Sequence, residues 1–110
     1  MQALSKTARI RELNDAFRTT FRGGLVTTTP GVDALSNEQK DELIRAVREF
    51  NFNLGNDLYN EHDFGSIEIG GETFFWKIEY YDRTTQQGSE DPSDPEKTTR
   101  VMTLMLAEEY

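Results

Sequence analysis

The segment SIEIGGETFFWKIEYYD, residues 66–82, constrains the fold more than any other. Ser66–Ile69 reads as a short strand, Gly70-Gly71 as a two-residue turn, and Glu72–Asp82 as a long strand. Paired glycines suit the primed turns that join antiparallel strands, because those turns need positive φ at their centre. Along the long strand Phe74, Trp76, Ile78 and Tyr80 alternate with Thr73, Phe75, Lys77, Glu79 and Tyr81. The first set is the better core face, since successive strand residues point to opposite sides. A chain built around this hairpin needs something apolar to lie on its Trp76 face.

Two helices supply that cover. Ile10, Leu13, Phe17 and Phe21 recur at helical spacing, so residues 5–21 read as a helix with Ser5 at its start and Gly23-Gly24 at its stop. Arg9, Arg11, Glu12 and Arg18 fall on its other face. A second helix begins at Ser36, which forms a capping box with Gln39, and runs to about residue 52 through Leu43, Ile44, Val47 and Phe50. Between them, Leu25–Thr29 is a short β-branched strand closed by a Pro30-Gly31 turn. Residues 53–65 read as a structured loop, and residues 83–97, with two prolines, as a long flexible one. Thr98–Ala107 reads as a strand with apolar residues on both faces, which places it centrally in the sheet. The expected architecture is a single α+β domain over residues 1–110, in the order α-β-α-β-β-β. Two helices pack on one face of an antiparallel sheet of about four strands.

The charge is strongly uneven. The 110 residues carry a formal charge of −8, but residues 1–50 hold 8 basic and 7 acidic side chains while residues 51–110 hold 4 and 13. The negative excess therefore belongs to the second half, and it gathers locally: Asp57, Glu61 and Asp63, then Glu90, Asp91, Asp94 and Glu96, with Glu108 and Glu109 at the end. Such a balance argues against direct nucleic-acid binding, which needs a basic surface. Cysteine is absent, which excludes disulfides, zinc–thiolate sites and thiol nucleophiles. No run approaches the ~18 apolar residues of a membrane span, and the N-terminus has no apolar signal region, so the expected compartment is the cytoplasm.

The strings LNDAFRTTF (13–21), EHDFG (61–65), WKIEYYD (76–82), GSEDPSDP (88–95) and TRVMTLMLAEEY (99–110) together resemble a domain of unknown function found in small acidic proteobacterial proteins, often on plasmids and other mobile elements. Leu58 and Asn60 stand where that family is expected to carry Pro and Gly. The resemblance implies a mobile-element setting, in which small acidic proteins often counter host defence, and it brings no catalytic residues with it.

Two readings of the acidic segments follow. In the first, Asp57, Glu61, Asp63, Glu90, Asp91, Asp94 and Glu96 bind a basic partner protein by imitating the spaced charges of nucleic acid, with no cofactor or metal. That describes a non-enzymatic anti-defence inhibitor acting on a CRISPR or restriction complex. In the second, Asp57, Glu61, His62 and Asp63 form the centre of a small metal-dependent or hydrolytic enzyme. The spacing misses the calcium-loop pattern, and His62 is the only histidine. A third role, as a structural or regulatory partner of a plasmid protein, includes a homodimer formed through an exposed sheet edge. Trp76, Tyr80 and Tyr81 read as sheet packing rather than base-stacking groups, because only Lys77 and Arg83 accompany them.

Overall fold

A computed structural model of the chain describes residues 5–52 and 60–110. The elements are α1 (Lys6–Thr20), β1 (Gly24–Thr28), a single-turn α2 (Pro30–Asp33), α3 (Asn37–Arg48), β2 (Phe64–Ile69), β3 (Glu72–Tyr81) and β4 (Thr99–Leu106), followed by a 3-10 turn over Ala107–Glu109. The β2–β3 hairpin forms as its sequence dictates. Ile69 pairs with Glu72 across Gly70 and Gly71, whose φ values of 60° and 84° are those a type I′ turn demands.

The four strands lie in the order β1-β4-β3-β2. β2, β3 and β4 form an antiparallel meander, and β4 is indeed central. β1 departs from the wholly antiparallel expectation: it pairs with β4 in parallel, Gly24 opposite Arg100 through Thr28 opposite Leu104. A parallel pair needs a crossover instead of a tight turn, and the long stretch through α2, α3 and the hairpin provides one. The sheet is therefore mixed.

Local chemistry explains the helix ends. Ser5 Oγ accepts the Ala8 N–H at 3.1 Å to start α1. The helix stops at Phe21, itself in the left-handed conformation with φ 59°, two residues before the glycines expected to end it. The capping box of α3 is complete, with Ser36 Oγ accepting the Gln39 N–H and Gln39 Oε1 accepting the Ser36 N–H. Pro30 does more than turn the chain: it occupies the first turn of α2, where its missing N–H costs nothing. α3 ends at Arg48 rather than near 52. Phe50 and Phe52 leave the helix to meet the Trp76 ring edge-on, at 5.4 and 5.9 Å between centroids.

Register puts Phe74, Trp76, Ile78 and Tyr80 on the same face as Leu106, Leu104, Met102 and Arg100. The helices cover this face. The core comprises Phe17, Val32, Leu43, Val47, Phe74, Trp76, Ile78, Met102 and Leu104. Each large side chain buried here contributes about 1.5–3 kcal/mol. Gly65 opposes Trp76 so closely that a Cβ there would lie 2.2 Å from Trp76 Nε1, so only glycine fits beneath the indole.

Arg18, expected on the outer face of α1, is instead buried at 4% exposure. Its guanidinium donates to the carbonyls of Val47 and Arg48 at the end of α3 and of Phe50 just beyond it. It also lies over the Phe52 and Trp76 rings. The cation thus caps α3 at the negative end of its dipole and locks the two main helices together.

Candidate functional site

The acidic segments meet one end of the sheet, the end where Tyr80 pairs with Arg100. Asn14, fully buried on α1, organises that end. Its Oδ1 accepts from Arg100 Nε at 2.7 Å, and its Nδ2 donates to the Tyr80 hydroxyl at 2.8 Å and the Glu61 carbonyl at 3.0 Å. The Tyr80 hydroxyl donates in turn to Glu61 Oε1 at 2.9 Å. Burial pushes the Tyr80 phenol far above its ordinary pKa against the opposing Asn14 hydrogen bond, and the carboxylates of Asp63 and Glu61 add to the rise. Burial also lowers the Arg100 pKa, opposed by Tyr80 and Glu61.

Glu61 therefore serves the interior. Its neighbours do likewise. Asn60 and His62, on either side of it, take left-handed backbone conformations (φ 60° and 55°), tolerated better by Asn and His than by most residues. This geometry holds the Glu61 carbonyl on Asn14. Arg11 donates to the Asn60 carbonyl at 2.9 Å. His62 Nδ1 meets Asp15 Oδ1 at 2.8 Å, and its ring stacks on Phe52 at 3.8 Å with an interplanar angle of 5°. The Asp63 carbonyl accepts the Ile78 N–H at 2.8 Å, extending the sheet edge beyond β2. Asp57 lies outside the described residues. Among the described residues no three His, Cys, Asp or Glu side chains gather closely enough to hold a metal ion.

Residues 88–98 form an ordered turn, in contrast to the flexible loop expected. Tyr81 bridges to Gly88, Ser89 Oγ meets Thr98 Oγ1 at 2.8 Å, and the Thr98 hydroxyl donates to the Asp91 carbonyl at 2.9 Å. Asp91 Oδ1 accepts from the Ser93 hydroxyl and N–H, which holds its pKa below the ordinary carboxylate value. Asp94 Oδ1 accepts the Glu96 N–H at 2.9 Å. Arg100 Nη2 donates to the Pro92 carbonyl, so one guanidinium joins this turn to the Asn14 network. Asp91 lies 3.8 Å from Lys6, and Glu90 lies 3.5 Å from Lys97. Of the six described candidates, only Glu90 and Glu96 are fully exposed carboxylates.

The surface that sequence reasoning missed is the other face of the sheet. Phe64, Phe75, Lys77, Glu79 and Tyr81 point there by register, as do Leu25, Val101 and Thr103. No helix covers it. Phe64, Phe75 and Tyr110 form an aromatic group with centroids 5.1–6.2 Å apart, and Lys77 lies over the Tyr110 ring. Leu25 and Tyr110 are 56% and 75% exposed. Glu68 and Glu79 lie on the same face, and the Tyr81–Gly88 bridge brings Glu90 to its border. The signal is present in the sequence, as the second alternation of β3, Thr73, Phe75, Lys77, Glu79 and Tyr81, which stands apart from the core face without reading as a surface.

No helix among the described residues is long and apolar enough to cross a membrane. The family model described as a protein of unknown function, DUF3768, matches residues 28–109, and the chain belongs to that family. The LNDAFRTTF string of α1 lies before the match. Neither the curated proteins nor the solved structures contain a match to the chain.

Proposed function

We propose that this DUF3768 protein is a non-enzymatic binding protein that docks the open face of its sheet on a basic surface of another protein. The observation that carries the reading is the uncovered face itself. It combines an aromatic centre (Phe64, Phe75, Tyr110) with carboxylates at Glu68 and Glu79, the latter paired with Lys77, and Glu90 at its border. Protein interfaces concentrate their energy in aromatic anchors and set partner choice through rim charge. The net charge of −8 adds attraction to a basic partner during encounter.

The finer reading places the partner among nucleic-acid-binding proteins of host defence, such as CRISPR or restriction complexes, whose basic surfaces the protein would block. It is supported by the acidic second half and by the mobile-element setting that the family resemblance implies. Glu90 and Glu96 are the acidic-segment residues placed to make such contacts. Glu61, Asp91 and Asp94 serve the fold.

The test is retention of purified CRISPR and restriction complexes on immobilised protein, comparing wild type with Tyr110→Ser and with Glu79→Lys/Glu90→Lys. The expected result is retention by wild type and loss by both variants with an unchanged circular dichroism spectrum. Retention that survives both variants would overturn the open-face assignment. Failure of every defence complex to bind would overturn the finer reading.

A further inference from the structure

The two edges of the sheet are built differently. β2 carries Glu68 near its end and continues into the segment pinned on α1, whereas β1 reads GLVTT, with no charge and no proline. Natural edge strands are usually blunted by such residues because their unpaired backbone groups recruit another strand. Residues 25–28 of β1 are all exposed. The Thr29 N–H donates to the Leu104 carbonyl at 3.2 Å, so by strand alternation Thr27 and Leu25 turn their backbone groups towards β4. Gly24, Val26 and Thr28 turn theirs outward.

We propose that β1 pairs antiparallel with β1 of a second copy of this chain, about a two-fold axis at Val26. In that register Val26 faces Val26, and Gly24 of each copy faces Thr28 of the other. All three outward residues become hydrogen-bonded pairs, giving about six backbone hydrogen bonds and one continuous eight-stranded sheet.

Charge favours a second copy as the occupant. Asp33 accepts the Thr28 hydroxyl, which anchors its carboxylate beside the end of β1. Arg22 lies two residues before Gly24, is exposed, and has no ion pair among the described residues. Facing Gly24 with Thr28 therefore sets Arg22 of each copy beside Asp33 of the other, twice by symmetry. Between residues 19 and 37 of the chain these are the only two charges, and the Glu109 carboxylate joins Asp33 at that end of β1, accepting the Thr29 hydroxyl and the Gly31 N–H.

Sedimentation equilibrium from about 10 µM to about 1 mM, the range suited to a small interface, tests the pairing. The expected mass rises from 12.7 kDa towards twice that value. Val26→Pro removes only an outward N–H and suits an edge strand, so the spectrum should hold while association weakens at least about tenfold. Arg22→Asp should also weaken association, and Arg22→Asp/Asp33→Arg should restore it. A mass of 12.7 kDa throughout, a folded Val26→Pro that still dimerises, or a charge-reversed pair that fails to recover would each overturn the pairing. Should Val26→Pro lose its fold, the charge-reversal series decides.

Discussion

The two acidic segments look alike as strings and differ as structure. In the first segment the Glu61 and His62 side chains turn towards the protein: Glu61 meets Tyr80, His62 meets Asp15 and stacks on Phe52. In the 88–98 turn backbone carbonyls and the Asp91 and Asp94 carboxylates hold the turn, and the other two carboxylates, Glu90 and Glu96, remain at the surface. A carboxylate's role thus follows from what the surrounding backbone leaves unsatisfied, which its residue type does not reveal. Arg100 belongs to both segments, donating to Asn14 on one side and to the Pro92 carbonyl on the other.

The contrast is broken most severely at Asn14. Asn14→Ala leaves the buried Arg100, Tyr80 and the Glu61 carbonyl without their shared partner, and should cost about 3 kcal/mol of unfolding free energy by urea titration. A loss below about 1 kcal/mol would mean that the network is loosely held. Tyr80→Phe is the next largest, at about 1–2 kcal/mol, since it deletes one hydroxyl but keeps the ring. It also sharpens the comparison through pH. Because the folded phenol titrates above the unfolded one, its contribution is complete below about pH 10 and is lost as pH rises beyond that. Wild type should therefore lose stability more steeply than Tyr80→Phe between about pH 10 and 11.5. Parallel alkaline limbs would contradict the buried phenol.

The outward segment should respond weakly and at the other end of the pH scale. Asp91 titrates below its ordinary value in the folded protein, so its contribution is present above about pH 4 and is lost as pH falls through that value. Ser93→Ala should flatten this acid limb. Glu90→Gln/Glu96→Gln should change stability by less than about 0.5 kcal/mol while weakening attraction to a basic partner. A larger stability effect would move these two carboxylates into the structural class with Glu61.

How much was legible in the sequence depended on the range of the interaction. Gly70-Gly71, the alternation through Trp76 and the Ser36–Gln39 box are local signals, and each element formed where they pointed. The central position of β4 was legible too, from apolar residues on both of its faces. The parallel β1–β4 pairing was not, because nothing within LVTTT records the direction of a partner 75 residues away. Arg18 misled for a related reason: a cation at the end of α1 looks solvated until the C-terminal end of α3 presents it with three carbonyls. Likewise the carboxylates of Glu61 and Asp91 are indistinguishable from Glu90 until Tyr80 and Ser93 are placed beside them.

The parallel pairing also has a consequence in time. β4 is β1's only sheet neighbour among the described residues, so β1 can join no sheet until residues 99–106 have been made. At about 5–20 residues per second, synthesis of the intervening chain takes roughly 4–15 s, far longer than a helix or hairpin needs to form. During that interval the two main helices can already form while the LVTT segment waits, unpaired on both sides. Closure of the sheet is then a late, long-loop event, and its cost falls on the folding rate rather than on final stability.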